Sequence, residues 1–161
     1  MADGGIVHMI DRNGFYTQRV FQSKLGKQLT ASMEDYLEMI CRLGQSEGKV
    51  RVKELSQLLH VKPSSASKMA NNLKAAGLVS FERYGEIMLT EQGRSLGAYL
   101  LRRHQIVHEF LCLLNNSDNE LEQTEKIEHF LNENTVDNLS QLIDKMRRGE
   151  IINDNADNAP G

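Results

Sequence analysis

Residues 51–90 read RVKELSQLLHVKPSSASKMANNLKAAGLVSFERYGEIMLT, and the order of elements in this stretch decides the fold. Leu55, Leu58 and Leu59 give a short helix, Val61-Lys62 a turn, and Pro63 the start of a second helix, where its missing N–H removes no hydrogen bond. Ala66, Met69, Ala70, Leu73 and Ala76 continue an apolar stripe to a stop at Gly77. The segments 78–83 and 86–89 then alternate around Tyr84-Gly85 as a hairpin does. Helix, tight turn, helix and hairpin in this order make a winged helix-turn-helix. The second helix opens with small hydrogen-bonding residues that let a backbone approach a groove, and it carries cations for phosphates. Ser64, Ser65, Ser67, Lys68, Asn71, Asn72 and Lys74 meet that description, and Arg83 and Tyr84 fall at the hairpin tip, where a wing touches DNA. Taken alone, the Pro-Ser-Ser start could open any surface helix and the lysines could line a solvated face.

Charge supports the nucleic-acid reading. The net charge of −3 hides a basic middle, because residues 49–103 hold ten Lys or Arg against four Glu, and residues 104–161 hold four against twelve Asp or Glu. A basic segment joined to an acidic one points to a polyanion at one place and cations at another. The 161 residues, 40% apolar and 25% charged, have the balance of a globular protein. The longest apolar run, Phe110 to Leu114, is far short of the ~18 residues that a membrane span needs. The first residues lack the pattern of a secretory signal, so a cytoplasmic protein is expected. Cys41 and Cys112 stand apart without CxxC spacing, which argues against a disulfide framework or a cysteine zinc site and for two helix-packing thiols.

Upstream, Met33, Tyr36, Leu37, Ile40 and Leu43 recur at helical spacing, with Ser32 placed to cap that helix. Downstream, Thr90 opens a long helix whose stripe (Leu96, Tyr99, Leu100, Val107, Phe110, Leu111, Leu114) runs to the Asn115–Asp118 break. Two further helices are expected at roughly 120–132 and 135–146. On this framework Asp35 and Glu38 are spaced i, i+3, and Glu125, Glu128 and His129 are spaced i, i+3, i+4, while His104 lies on the shoulder of the long apolar stripe. Carboxylates and imidazoles on such shoulders can converge on a metal ion where helices pack. Each also has a plainer role: Asp35 as part of a capping box, Glu125 and Glu128 as members of a solvated acidic run, His104 as a packed or surface histidine.

The stretches 32–38 (SMEDYLE), 60–69 (HVKPSSASKM), 89–93 (LTEQG), 102–104 (RRH) and 127–129 (IEH) together resemble the manganese-sensing branch of the diphtheria-toxin-repressor family over about residues 30–146. The resemblance implies a mainly α protein in which a winged helix-turn-helix is followed by an all-helical dimerisation and metal-binding domain. It implies a homodimeric repressor, not an enzyme, that binds palindromic double-stranded operator DNA when activated by manganese(II) and controls manganese uptake. It also implies two Mn2+ per subunit, with ligands at Asp35, Glu38, His104, Glu125, Glu128 and His129. The iron-sensing branch has methionine at the position of Asp35 and cysteine at that of Glu125, and oxygen donors there suit manganese; an iron- or zinc-responsive regulator of the same fold is the alternative. Glu38 and Glu125 are expected to bridge, with Asp35 and His104 on one ion and Glu128 and His129 on the other.

The expected divisions are an arm over residues 1–29, the winged helix over 30–90, the helical domain over 91–148 and a tail over 149–161. The arm exceeds what the resemblance leads one to expect, and its role, like that of the tail, does not follow from it. His108, one turn beyond His104, could add a metal ligand, although a surface histidine is the plainer reading.

Overall fold

In the computed structural model, residues 29–47, 49–81 and 85–150 are described, and those from 31 onward belong to one compact unit. Helix α1 (Ala31–Glu47) is followed by strand β1 (Val50–Arg51), helix α2 (Val52–Leu58) and helix α3 (Pro63–Ala75). Strands β2 (Val79–Phe81) and β3 (Glu86–Leu89) pair antiparallel, Ser80 opposite Met88, and β1 joins the outer edge of β3 with Val50 opposite Ile87. Helix α4 (Glu91–Asn115), helix α5 (Leu121–Ile127), a 3-10 turn (Glu128–Phe130) and helix α6 (Glu133–Arg147) complete the described elements. The winged helix-turn-helix is present with its small sheet in the order β1-β3-β2. Among the described residues no helix is long and apolar enough to cross a membrane.

Local chemistry accounts for most boundaries. Pro63 is the first residue of α3. Thr90 caps α4 by accepting from the Gly93 N–H at 3.0 Å, and Asn132 caps α6 by accepting from the Thr135 N–H at 2.9 Å. The turn between α2 and α3 takes in Leu59 and His60 as well as the expected Val61-Lys62: His60 takes a left-handed φ of 52°, and the Val61 N–H donates to the Ser56 carbonyl at 3.0 Å. Helix α1 begins one residue before Ser32, so Ser32 lies in its first turn and not at the cap.

The largest difference from the sequence reading lies after α5, where the single helix expected over 120–132 is two pieces. The α-helix stops at Ile127, the Leu131 N–H donates to the Glu128 carbonyl at 3.1 Å, and Leu131 is extended before the Asn132 cap. A 3-10 turn separates consecutive side chains by about 120° in place of about 100°. The Glu128 carboxylate meets His104 of α4, while the ring of its neighbour His129 meets Glu34 and Asp35 of α1.

The core that positions these elements is the crossing of α1 on α4. Leu37, Ile40 and Leu100 are fully buried there, and Cys41 is buried as expected. The helices approach closely because Gly97 has no side chain: a Cβ on it would stand 2.9 Å from the Cys41 Cβ. Gly93 is more confined still, since a Cβ there would collide with the Leu78 carbonyl oxygen. Ile106, Val136 and Ile143 form a second cluster between α4 and α6, bordered by Phe110, Leu113, Leu131 and Leu139. Leu114, expected in the buried stripe, is 42% exposed, whereas Arg103, one turn from both Tyr99 and Val107 on that stripe, is buried.

Candidate metal centre

Three elements converge on one group of charged side chains. Glu34, Asp35 and Glu38 come from α1, Arg103 and His104 from α4, and Glu125, Glu128 and His129 from α5 and the 3-10 turn. Glu128 is 1% exposed although it carries a carboxylate, and a buried charge needs compensation. Its Oε2 lies 3.0 Å from His104 Nδ1 and its Oε1 lies 3.9 Å from His129 Nε2.

Two sets of donor atoms are close enough together to hold a cation: Asp35 with Glu128 and His129, and Glu38 with His104 and Glu128. Glu128 belongs to both. The metal-free geometry groups the donors differently from the expected partition. Asp35 keeps company with His129, whose Nε2 is 3.0 Å from Asp35 Oδ1, and His104 keeps company with Glu38. The carboxylate common to the sets is Glu128, and neither Glu38 nor Glu125 shares that position. Glu125 sits at the rim, its side chain 52% exposed and its Oε1 3.7 Å from His104 Nδ1. Oxygen and imidazole donors alone, with one carboxylate inaccessible to water, suit a hard to borderline divalent ion.

The charges of the group show how tightly it is coupled. The hydrogen bonds to Asp35 and then to Glu34 raise the His129 pKa to about 10. The hydrogen bond to Glu128 raises that of His104. Burial, then the charge of Glu128, raises the Glu125 carboxyl. At neutral pH the metal-free centre therefore keeps a second proton on the His129 ring, where a cation would go. Glu38 is engaged by Arg42, whose terminal nitrogen lies 2.6 Å from its Oε1.

The sequence reading missed Glu34 and Arg103. Glu34 Oε2 accepts from Arg103 at 2.6 Å and lies 2.8 Å from His129 Nδ1. Burial alone would raise the Glu34 carboxyl, yet the hydrogen bonds from His129 and Arg103 outweigh it and hold it below the usual value. The i, i+4 offset of Glu34 from Glu38 was a legible signal that places both on one side of α1. His108 is absent from both donor sets; its ring stacks on His104 with centroids 6.5 Å apart, and its Nε2 lies 3.4 Å from the Glu120 backbone N–H.

On α3 the residues singled out for DNA split cleanly from the core. Ala66, Ala70 and Leu73 are buried, whereas Ser64, Ser65, Lys68 and Asn71 are exposed and Ser67 is half-buried. Asn71 donates to the Ser67 carbonyl at 3.0 Å, and Lys74 sits 5.4 Å over the Phe81 ring. Arg83 and Tyr84 lie outside the described residues, as do residues 1–28 and 151–161. Gly85, just beyond the tip, takes φ 73° as a hairpin turn requires.

Comparison with known proteins adds what geometry cannot. Residues 28–87 match the N-terminal DNA binding domain of the iron dependent repressor, and residues 90–153 match that family's metal binding and dimerisation domain. The HTH-type transcriptional regulator MntR of Oceanobacillus iheyensis is 37% identical over 115 residues, 71% of this chain and 78% of its own. Among solved structures, zinc-bound ScaR is 32% identical with a TM-score of 0.60, over 70% of this chain and 53% of that one. The manganese regulator SloR is 27% identical with a TM-score of 0.63, over 72% of this chain and 55% of that one. The chain thus spans about half the length of these two structures. Both halves of the fold are matched in order, and the chain belongs to the iron-dependent repressor family, also known as the diphtheria-toxin-repressor family, in the branch of the MntR regulators.

Proposed function

We propose that the chain is a manganese(II)-activated transcriptional repressor that binds palindromic operator DNA as a homodimer and governs manganese uptake. The division of labour we adopt is a DNA-reading part over residues 30–90 and a metal-binding and dimerising part over 91–148. Asp35, Glu38, His104, Glu125, Glu128 and His129 are assigned to the metal centre, with two ions per subunit. Ser64, Ser65, Ser67, Lys68, Asn71, Arg83 and Tyr84 are assigned to DNA. Its relatives are regulators, and the chain is not an enzyme.

The observation that carries this reading is the buried Glu128, shared by two donor sets whose other members come from α1 and α4. Helix α1 packs on α4 and also on α3 and β3, so the helix that supplies Asp35 and Glu38 supports the reading helix. When bound, two divalent ions supply four positive charges against the four carboxylates of Asp35, Glu38, Glu125 and Glu128. Asp35 and Glu38 would then exchange the His129 and Arg42 partners that offset them in the metal-free centre for the ions, which would tie α1 to α4 and the 3-10 turn. Fixing α1 fixes α3, and with it the spacing of the two heads of a dimer, which for successive major grooves is ~34 Å.

A titration of promoter duplex from a manganese-uptake gene of the same genome, with Mn2+, Fe2+, Zn2+ or no metal, tests the reading. Binding that requires metal and responds to Mn2+ at the lowest free concentration supports it. Equal binding with and without metal refutes it.

A further inference from the structure

The metal centre has a second layer that none of its proposed ligands explains. Arg103 is 3% exposed, lies in the middle of α4, and directs its guanidinium to Glu34 Oε2 at 2.6 Å and to His129 Nδ1 at 3.2 Å. Glu34 Oε2 in turn lies 2.8 Å from the same Nδ1. The two contacts to Nδ1 make opposite demands. An arginine can only donate and an ionised carboxylate can only accept, so Nδ1 either accepts from Arg103 or donates to Glu34. The shorter distance and the acceptor chemistry of Glu34 decide for donation: Nδ1 carries the hydrogen, and Oε2 receives it together with the Arg103 N–H. The other ring nitrogen, Nε2, is left facing Asp35 Oδ1 at 3.0 Å and Glu128 Oε1 at 3.9 Å.

We propose that Glu34 and Arg103 are positioning residues that fix His129 in the Nδ1–H tautomer and so present Nε2 as the metal-ligating atom. Glu34 acts directly on the ring. Arg103 acts through Glu34, anchoring its carboxylate to α4 so that a residue of α1 steers a ligand of the 3-10 turn. The inference rests on the assignment of His129 to the metal centre. A metal-ligating histidine depends on the partner of its other nitrogen for orientation and basicity, and loss of such a partner weakens metal binding about 10–100-fold. A carboxylate buttressed by a buried arginine is a rigid version of that partner, because neither group can swing to water without leaving a buried charge unpaired.

The test uses 15N-histidine-labelled protein loaded with Zn2+ as a diamagnetic probe, together with Mn2+ affinity measured by calorimetry, for wild type, Glu34→Leu, Glu34→Gln and His129→Ala. In wild type the 15N spectrum should show the His129 proton on Nδ1 and the metal on Nε2. Glu34→Leu should lose that fixed pattern and bind Mn2+ about 10–100-fold more weakly. Glu34→Gln keeps an amide oxygen for the Nδ1–H and for Arg103, so it should restore the tautomer and recover most of the affinity, which a merely structural role for Glu34 would not require. Glu34→Leu with wild-type affinity and an unchanged Nδ1–H signal overturns the proposal, and so does a Glu34→Gln variant that folds but shows the metal on Nδ1. His129→Ala reports on the underlying assignment separately. If it binds Mn2+ as wild type does, His129 is no ligand and the metal-centre reading fails; if it is impaired while Glu34→Leu is not, only the positioning role fails.

Discussion

On the proposed assignment of His129 as a ligand, a bound Mn2+ displaces the proton that the metal-free protein keeps on that ring at pH 7. The pKa of about 10 arises because Asp35 and Glu34 hydrogen-bond the charged ring. The gap between that value and pH 7 corresponds to roughly 4 kcal/mol, or about a thousandfold in apparent affinity, relative to a centre already deprotonated. Raising the pH from 6.5 to 8.5 should therefore tighten Mn2+ binding by about a hundredfold from His129 alone, because each displaced proton contributes about tenfold per pH unit below its pKa. His104, raised by Glu128, steepens the dependence while it too remains protonated. Calorimetry in buffers of different ionisation enthalpy counts the protons directly, and about one or more should leave per subunit at pH 7. The same raised His129 value stabilises the metal-free fold fully below the unfolded-state value of about 6.5, and that contribution is lost as the pH rises through about 10. Affinity that stays flat from pH 6.5 to 8.5, with no net proton release, would refute the coupling of these imidazoles to the carboxylates.

Three further outcomes are expected. Lys68→Ala, which removes an exposed cation on α3, should weaken binding to DNA of any sequence and lower the log–log salt slope by about 0.9 for each phosphate no longer neutralised, with Mn2+ affinity of the free protein unchanged; a filter-binding salt series measures it. Asp35→Met with Glu125→Cys should shift the operator-binding response from manganese toward iron or other thiophilic ions, since two anionic oxygens become a thioether and a thiolate; titration against free metal concentration reads the shift. Gly93→Ala should destabilise the fold by more than the roughly 1–3 kcal/mol typical of overpacking, because the added methyl meets the fixed Leu78 carbonyl and not a flexible side chain; denaturant unfolding checks it.

Much of the winged helix was legible because its signals are local. Pro63, Gly77 and Gly85 punctuate the chain, and the Ala66–Ala70–Leu73 stripe has one face to bury. The candidate metal centre was legible only as residue types at helical offsets, since which donors meet depends on how α1, α4 and the 3-10 turn pack, which no offset records. The offsets put Glu125, Glu128 and His129 along a single edge of one helix; in the fold Glu128 is buried as the shared carboxylate, His129 meets α1, and Glu125 stays at the rim. Arg103 lies on the apolar stripe itself, one turn from Tyr99 and Val107, and was missed because a charged side chain reads as solvated; the tertiary pairing with Glu34, 69 positions away, makes its burial tolerable. His60 supplies a left-handed turn residue where sequence reasoning looks for glycine or asparagine.

If the metal centre and the reading helix share one conformational equilibrium through α1, each ligand must report on the other. Linkage measures this directly: operator affinity with and without Mn2+, and Mn2+ affinity with and without operator, on the same protein at one pH and salt concentration. Mn2+ should tighten operator binding, and operator should tighten Mn2+ binding by the same factor, in the range of about 5–150-fold or above. Operator affinity that is indifferent to Mn2+, in a protein that binds the ion at this centre, would contradict a shared equilibrium.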